Sequence, residues 1–275
     1  MSRKIAFQGE MGAFSHSAVK AIFPNDEALA CEGFEDSIKA VQSGIAKFGV
    51  VPIENSLYGR VPDIHSLLPN SGLNIVGEYY LPIEMTLLGV KGAKLKDIKK
   101  VQSLFVALGQ CRKFISDNKL KTINAIDTAG SAKEIAELGD KSIAAIASKL
   151  AGDIYGLDVI ANNIEDAKHN TTRFLILSKQ DIKAKQNDGV VKTTFVFRVR
   201  NVPAALYKTM GGFATNGVNM SKLESYMVDG SFTATQFYAD IEGHPDDLSV
   251  KLAFEELDFF TDYVKILGVY SAAKR

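Results

Sequence analysis

The stretch HNTTRFLIL, residues 169–177, joins a polar run to a continuous apolar run. Its second half, FLIL, is typical of a strand in the centre of a sheet. This strand lies far along the chain from KIAF, residues 4–7, which is also typical of a short buried strand. We therefore predict an α/β protein with two lobes that are not sequential in the chain and with a ligand cleft between them.

The polar half of the same stretch carries the strongest functional signal in the sequence. A strand seldom ends in four such residues in a row, Asn170 to Arg173, unless they face something charged. Alternation places Thr171 and Arg173 on one face of the strand and Thr172 and Phe174 on the other. The Arg173 guanidinium suits a ligand carboxylate, and the neighbouring hydroxyls and amide add neutral hydrogen bonds. The alternative is that Arg173 pairs with a carboxylate of the protein itself.

Composition and charge exclude several classes of partner. The chain has 275 residues, 46% hydrophobic and 23% charged, which is ordinary for a globular protein with more than one core. Lys plus Arg and Asp plus Glu both number 32, so no excess of charge favours a nucleic acid or an anionic membrane. An anionic ligand would have to be held by a local site.

No pattern predicts secretion, a membrane span or a metal site. The opening MSRKIAFQGE passes from basic residues into a strand without an apolar leader, so we expect a cytoplasmic protein. No apolar run approaches the roughly 20 residues that span a bilayer. Cys31 and Cys111 lack CxxC spacing, which favours reduced thiols. The four histidines do not have the spacing of metal ligands, so we predict no metal and no cofactor. These histidines are His16, His65, His169 and His244.

The N-terminal region predicts the order β-α-α-β. After KIAF, apolar residues recur at helical spacing, first at 14, 18, 21 and 22 and then at Ile38, Val41 and Ile45. FGVVPIEN, residues 48–55, follows as a strand that ends in polar residues. Further strand and helix patterns lead to the stretch at 169–177. Ligands in open α/β sheets bind at the carboxyl ends of strands, so these polar ends are candidate site residues.

The C-terminal region predicts a separate domain. Residues 179–192 are polar and contain glycine, and we predict a linker at 181–192 between domains at 1–180 and 193–275. The remaining pattern is βαββαβ, the split ferredoxin-like order. Asp229-Gly230 is a type I′ hairpin signal between the two middle strands.

Other motifs admit both a functional and a structural interpretation. GEMG, residues 9–12, could hold an anion on free backbone N–H groups or could be a tight turn. Glu54 and Asn55 could face a ligand or cap the next helix. Ser103 and Gln110 could face one cleft, although a helix cap and a surface glutamine are the simpler interpretation. Thr128 and Ser131 in DTAGSA have the same two interpretations.

In order, these segments resemble the prephenate dehydratase family over essentially the whole chain. The resemblance is carried by FQGEMGAFSHSA, VVPIEN, the Ser103 to Gln110 segment, AAIASKLAGDIYGLDVI and above all NTTRF, which matches the family's Asn-x-Thr-Arg-Phe signature. It implies a catalytic domain of two lobes, similar to periplasmic binding proteins. The C-terminal βαββαβ unit looks like the ACT domain that follows in this family. Departures are Leu104-Phe105, where many relatives have His-Pro, and Tyr226-Met227, where an Arg-Pro pair is usual.

The resemblance implies a reaction and a set of site residues. The reaction is the conversion of prephenate to phenylpyruvate, water and carbon dioxide, in phenylalanine synthesis and without a cofactor. Catalytic roles are implied for Thr172, Arg173 and Glu54. Substrate-binding roles are implied for six further residues, namely Asn55, Ser103, Gln110, Asn170, Thr171 and Phe174. A phenylalanine effector site is implied at Asn201, Ala204, Ala205, Leu206, Glu224 and Ser225.

Two alternatives to prephenate dehydration stay open. Arogenate carries an amino group where prephenate has a ketone, and nothing in the sequence distinguishes the two substrates. Two α/β lobes around a cleft also describe a non-catalytic module that binds an amino acid or carboxylate. Because ACT-like units often associate, we also expect a homodimer or a homotetramer.

Overall fold

The computed structural model describes residues 2–200, 202–227 and 236–274, which form a mixed α/β protein with two sheets. The chain divides into two compact units, and each is built from two separate stretches. Unit 1 comprises Met1–Val61 and Tyr80–Phe174, and unit 2 comprises Pro62–Tyr79 and Leu175–Arg275. These units divide the chain differently from the two lobes predicted within residues 1–180, so the non-sequential lobes stay a prediction.

Fifteen strands are present in the described residues. They are β1 (Lys4–Gln8), β2 (Glu27–Cys31), β3 (Phe48–Asn55), β4 (Gly59–Arg60), β5 (Asn74–Pro82), β6 (Thr86–Gly89), β7 (Lys100–Leu104), β8 (Lys121–Ala125), β9 (Ile143–Ala147), β10 (Asp158–Ala161), β11 (Thr171–Ser178), β12 (Val191–Val199), β13 (Met220–Tyr226), β14 (Gln236–Glu242) and β15 (Thr261–Ser271).

Nine α-helices connect these strands within the same described ranges. They are α1 (Phe14–Ile22), α2 (Phe34–Gln42), α3 (Pro62–Leu67), α4 (Phe105–Gln110), α5 (Arg112–Asp117), α6 (Thr128–Leu138), α7 (Lys149–Tyr155), α8 (Ala205–Thr215) and α9 (Leu248–Phe260).

The first sheet of unit 1 has the strand order β11-β3-β1-β2, and β4 pairs with β3. β1 pairs in parallel with both β2 and β3. The predicted order β-α-α-β is wrong, because β2 lies between the two helices. α2 also ends at Gln42, before a turn at Gly44 (φ +82°), so Ile45 is 62% exposed rather than part of the apolar helix face.

The second sheet of unit 1 has the strand order β10-β6-β9-β7-β8. Its central β9, IAAIA, is almost entirely buried, which fits a continuous apolar strand covered on both faces. α6 and α7 follow β8 and β9, and each begins at a side-chain cap and ends at a glycine in the left-handed region. After β7 the helical segment is broken into α4 and α5 at Cys111, where burial raises the pKa of the thiol to about 12.

Unit 2 contains the predicted βαββαβ order as β12, α8, β13, β14, α9 and β15. Within unit 2 the strands pair in the order β13-β14-β12-β15-β5. Phenylalanines from β12, β14 and the two helices form an aromatic core, including Phe195 stacked on Phe213 at 5.7 Å between ring centroids. The predicted Asp229-Gly230 turn lies outside the described residues.

The predicted domain boundaries stay a prediction. β11 ends at Ser178 and β12 begins at Val191, so the predicted linker at 181–192 lies mostly between these strands. In the described ranges, no helix has both the length and the apolar character needed to cross a membrane.

A buried ion pair lies inside unit 2. The Lys192 Nζ donates to both oxygens of the Glu78 carboxylate, at 2.8 and 3.1 Å, and both side chains are buried. The Ala273 backbone N–H also donates to Glu78 Oε1, at 3.0 Å. Removing one member of such a pair leaves an uncompensated charge in a region of low dielectric constant.

We predict that Lys192→Met destabilises the protein by about 3 kcal/mol, because Glu78 would remain buried without the cation. The double variant Glu78→Leu, Lys192→Met should recover most of that loss. Urea unfolding of the two variants checks this, with Lys39→Met in the exposed Lys39–Glu35 pair as the control. Equal losses in the single and double variants would contradict the prediction.

Candidate active site

A cavity of about 270 Å³ lies in unit 1, lined by residues from both of its sheets and their following helices. This volume is near the lower end for small-molecule sites. Most of the wall is apolar, and the polar side chains are few. The lining residues are Gln8, Gly9, Ala13, Phe14, Ser15, Pro52, Asn55, Tyr58, Val61, Ile83, Met85, Leu104, Val106, Ala107, Gln110, Asp127, Thr128, Thr172 and Phe174.

Asn55, at the end of β3, joins two strands at the cavity wall. Its Nδ2 donates to Asn170 Oδ1 at 2.8 Å and to Thr172 Oγ1 at 3.0 Å. Its Oδ1 accepts the backbone N–H groups of Leu57 and Tyr58 at 2.9 and 3.1 Å. One carboxamide therefore fixes the start of β11 and the loop after β3 at once.

Thr172 lines the cavity together with Phe174, as the alternation along β11 predicts. Because Thr172 Oγ1 accepts the Asn55 N–H, its own hydrogen is left to donate. No acceptor for that hydrogen occurs among the residues that the structure describes. The hydroxyl is therefore available to a molecule in the cavity.

Arg173 and Glu54 are outside the lining of this cavity. The Arg173 Nη1 donates to Glu54 Oε1 at 2.9 Å, and the Arg173 side chain is only 3% exposed. Thr171 is also outside the lining; its backbone N–H donates to Ser56 Oγ at 2.9 Å. The arginine thus has a carboxylate partner inside the protein, which is the alternative that the sequence left open.

The predicted pair Ser103 and Gln110 is split by the structure. Ser103 is fully buried and its Oγ donates to the Ile146 carbonyl at 2.6 Å, so it holds β7 against β9. Gln110, the last residue of α4, lines the cavity, and its buried Oε1 has no hydrogen-bond donor among the described residues. A carboxamide oxygen in this position costs free energy unless a ligand supplies a donor.

Asp127 is a cavity residue that the sequence did not single out. It is the N-cap of α6, where its Oδ1 accepts the Gly130 N–H at 2.6 Å. It is also the one formally charged side chain among the described residues of the lining. Within DTAGSA the sequence singled out Thr128 and Ser131 as possible caps or ligand groups, but not Asp127. Thr128 lines the cavity, and the Ser131 Oγ donates to the Asp127 carbonyl.

The N-terminus of α1 also opens on the cavity. Ala13 is its N-cap, no side chain caps it, and Ala13, Phe14 and Ser15 all line the cavity. Free backbone N–H groups and the positive end of the helix dipole favour an anion at such a position. An anion site stays a prediction, and it would lie in this first turn of the helix rather than within GEMG.

Comparison with known proteins identifies the family. The family profile for prephenate dehydratase matches residues 5–182. This chain belongs to the prephenate dehydratase family. A bifunctional N-acyl-homoserine lactone acylase/prephenate dehydratase of Komagataeibacter europaeus is 46% identical over 98% of this chain and 96% of its own. Arogenate dehydratase/prephenate dehydratase 1 of Arabidopsis thaliana is 38% identical, over 97% and 71% of the two chains.

A solved structure agrees with this assignment to the prephenate dehydratase family. The prephenate dehydratase of Arthrobacter aurescens, in complex with L-Phe, superimposes with a TM-score of 0.88 at 29% identity. The match covers 98% of this chain and 89% of the other. The family resemblance stated from the NTTRF signature is thus confirmed, whereas the separate roles of the site residues stay predictions.

The predicted effector residues of this dehydratase-family chain lie in unit 2. Ala204 is the N-cap of α8 in the left-handed region (φ +62°), and Ala205 and Leu206 begin the helix. On β13, Ser225 pairs with Phe237 on the helix-covered face, whereas Glu224 pairs with Tyr238 on the other face and bonds Lys222. Asn201 lies outside the described residues.

The loop between β1 and α1 is held by the helix after β9. The Ser148 Oγ donates to the Gly12 carbonyl at 2.5 Å, and the Tyr155 hydroxyl donates to the Met11 carbonyl at 2.8 Å. Gly12 has φ +94°, and a Cβ added there would lie 2.7 Å from the Ala151 Cα. Glycine is therefore required at this close approach, which supports the turn interpretation of GEMG.

His16 fixes the same loop from within α1. Its Nδ1 accepts the Gly12 N–H at 3.0 Å, and its ring stacks on Phe7 with 5.3 Å between centroids. Burial, and then the charge of Lys20, lowers the pKa of His16 below its usual value of about 6.5. The neutral ring is the form that can accept the Gly12 N–H.

We predict that His16 makes stability depend on pH. Below about pH 6.5 the unfolded chain gains a proton on His16 that the folded chain does not bind, so folding becomes less favourable as the pH falls. The free energy of unfolding of the wild type minus that of His16→Gln should therefore shrink between pH 7.5 and 5.5. Urea unfolding at both pH values measures it, and a constant difference would contradict the assignment.

Proposed function

We propose that this chain is a prephenate dehydratase, which converts prephenate to phenylpyruvate, water and carbon dioxide. The observation that carries the proposal is the Thr172 hydroxyl, which Asn55 orients and which is free to donate into an apolar cavity. The family match over residues 5–182 supports it. The Thr172 position belongs to the signature that is shared with that family.

The reaction requires one proton and no electron carrier. The bond between the ring and its carboxylate breaks to release carbon dioxide, and the electron pair moves through the ring to expel the hydroxyl at C4. That hydroxyl takes up a proton and leaves as water, while the ring becomes aromatic. The protein must therefore place a proton donor at the C4 oxygen and leave the ring carboxylate weakly stabilised.

We assign the donor at the C4 oxygen to Thr172. Because a threonine is too weak an acid to be left as an alkoxide, its oxygen must regain a proton from water or a relay group in the same step. As the hydroxyl departs, its oxygen gains negative charge, which a donated hydrogen bond stabilises most strongly in the transition state. Glu54, the rival general acid, is bonded to Arg173 and does not line the cavity. We therefore assign the Glu54–Arg173 pair to holding β3 and β11 in place behind Thr172.

The carboxylate of the substrate side chain has a binding position at the N-terminus of α1. The first turn of this helix is not capped by a side chain and lines the cavity. The ring carboxylate would face the apolar part of the wall, which includes Ile83, Met85 and Phe174. A carboxylate in a dry environment is poorly solvated, and this favours its loss as carbon dioxide.

The finer assignments are part of the proposal. We propose that the two sheets of unit 1 are the lobes of a fold similar to periplasmic binding proteins. The βαββαβ part of unit 2 is proposed as an ACT domain with phenylalanine as effector, supported by the L-Phe complex of the Arthrobacter aurescens relative. A homodimer or homotetramer and a cytoplasmic location also stay proposals, and size-exclusion chromatography tests the first.

The direct test of the activity is phenylpyruvate release from prephenate at neutral pH. A blank without enzyme is required because prephenate also decomposes when it is acidified. We expect turnover well above the blank, and equal turnover with a chelator present. Binding of prephenate to folded protein without turnover would instead favour a non-catalytic binding module.

We predict that Thr172→Ala lowers kcat by about 10²-fold or more, because the hydrogen bond to the departing hydroxyl is lost. Thr172→Ser keeps the hydroxyl and should retain most of the activity. Thr171→Ala is the matched control, since the neighbouring threonine does not line the cavity. A loss of less than threefold in folded Thr172→Ala would remove Thr172 from the donor role.

A second candidate function is the hydrolysis of N-acyl-homoserine lactones to a fatty acid and homoserine lactone. The Komagataeibacter europaeus relative, 46% identical, is named for both activities. In this chain, exposed apolar side chains adjoin the lining, including Phe105 (66% exposed) and Ile126 (94%). They would cover part of an acyl chain that extends from the cavity.

Mass spectrometry of free homoserine lactone tests this second activity. If the exposed side chains hold the acyl chain, Phe105→Ser and Ile126→Ser should raise KM for long-chain substrates and leave KM for prephenate unchanged. No release of homoserine lactone by an enzyme that is active on prephenate would refute the second function alone.

A further inference from the structure

The hydroxyls of Ser148 and Tyr155 hold two successive carbonyl oxygens of the loop between β1 and α1. The Ser148 Oγ donates to the Gly12 carbonyl at 2.5 Å, and the Tyr155 hydroxyl donates to the Met11 carbonyl at 2.8 Å. Ser148 is the N-cap of α7 and Tyr155 is its last residue, and among the described residues none from α7 lines the cavity. Both carbonyl oxygens therefore point toward α7 rather than into the cavity.

The first turn of α1, directly after this loop, keeps N–H groups for a ligand. The Ala13 N–H donates to the Glu10 carbonyl, and the first bond of the helix runs from the Ser17 N–H to the Ala13 carbonyl, both at 3.0 Å. The N–H groups of residues 14–16 lie between these bonds and have no helical acceptor. No positively charged side chain occurs among the described residues of the lining, so a substrate carboxylate depends on this turn.

Gln110 indicates independently that the cavity holds a polar ligand. It is 8% exposed and lines the cavity, and its buried Oε1 has no donor among the described residues. A buried acceptor in this state is costly in the free protein and is satisfied by a ligand that donates. The C4 hydroxyl of prephenate is such a donor, and it lies across the ring from the side-chain carboxylate. The cavity therefore offers separate groups to the two ends of one substrate.

The peptide between Met11 and Gly12 is the part of the loop that can turn over. Gly12 has φ +94°, and a peptide beside a glycine rotates at low cost because glycine accepts both signs of φ. Rotation would direct the Met11 carbonyl oxygen toward the first turn of α1, where its partial negative charge would oppose a carboxylate. The bond from Tyr155 resists this rotation at the oxygen, and the bond to His16 Nδ1 resists it at the N–H. Ser148 fixes the next carbonyl in the same way.

We propose that Ser148 and Tyr155 are positioning residues for the side-chain carboxylate of the substrate. They hold the Met11 and Gly12 carbonyls against α7 and so keep the first turn of α1 open to the anion. Neither hydroxyl touches the substrate. The inference rests on the proposed dehydratase function and names the groups that prepare its carboxylate site. Thr172 lies on a different strand, so substrate binding and the chemical step are separable.

Tyr155→Phe tests the proposal by removing one hydroxyl while the ring stays packed on the core beside α7. We expect KM for prephenate to rise about fivefold, which is the effect of losing one hydrogen bond, with kcat within twofold of the wild type. Steady-state kinetics of phenylpyruvate release measure both constants. Tyr207→Phe is the matched control, because Tyr207 lies on α8 and is 78% exposed.

Ser148→Ala is the second variant and should raise KM in the same direction. It also removes the cap of α7, because the Ser148 Oγ accepts the Ala151 N–H at 3.1 Å, so its melting temperature should fall. Ser43→Ala is its control, since the Ser43 Oγ donates to the Lys39 carbonyl at 2.8 Å on the exposed end of α2. Tyr155→Phe keeps this cap and therefore tests the proposal even if Ser148→Ala does not fold.

Two competitive inhibitors show whether the effect is specific to a carboxylate. Phenylpyruvate carries the carboxylate, and phenylacetone has a methyl group in its place. In Tyr155→Phe we expect the inhibition constant of phenylpyruvate to rise about fivefold and that of phenylacetone to stay unchanged. A general distortion of the cavity would weaken both inhibitors equally.

Three results would overturn the proposal. The first is a KM within twofold of the wild type in folded Tyr155→Phe. The second is a fall in kcat with KM unchanged, which would assign Tyr155 to the chemical step. The third is equal weakening of phenylpyruvate and phenylacetone. All three require a wild type that turns over prephenate, so they are distinct from an inactive wild type, which would refute the dehydratase function itself.

Discussion

The Asn55 carboxamide is the constraint on which the cavity depends. It donates to Asn170 and Thr172 while it accepts from the backbone of the Leu57–Tyr58 turn. A carboxamide offers two N–H donors and a separate acceptor oxygen without charge. β3 and β11 are distant in sequence but adjacent in the sheet, so this side chain sets where the NTTRF segment stands relative to the wall. The proton donor and the binding surface are thereby fixed by one group.

The distribution of charge around the cavity suits a reaction that expels a carboxylate. A cation against the ring carboxylate would stabilise it in the ground state and so raise the barrier to its loss. Arg173 is instead paired with Glu54 outside the lining, and the wall is mostly apolar. Partial positive charge comes from the first turn of α1, which can hold the other carboxylate of the substrate. We infer that the geometry separates binding of one carboxylate from destabilisation of the other.

The sequence predicted the elements that carry strong periodicity and missed features that depend on tertiary contact. Apolar runs predicted β1, β3 and β11, and alternation placed Thr172 and Arg173 on opposite faces. β2 was missed because EALAC is short and only partly buried, so it shows no clear alternation of apolar and polar residues. The partner of Arg173 and the donor-free oxygen of Gln110 depend on which strands meet, and local spacing does not encode that. Asp127 was not singled out from the sequence, and both its capping of α6 and its position in the cavity follow only from the fold.

The most direct test of the account is kcat for prephenate in Asn55→Asp. Aspartate still accepts from Leu57 and Tyr58 but cannot donate to Asn170 or Thr172, so the Thr172 hydroxyl would turn toward the new carboxylate. The account predicts a fall in kcat of about tenfold or more in a folded protein, with Asn118→Asp on α5's C-terminal side as the control. A folded Asn55→Asp variant with kcat within threefold of the wild type would contradict the claim that Asn55 directs the Thr172 hydroxyl.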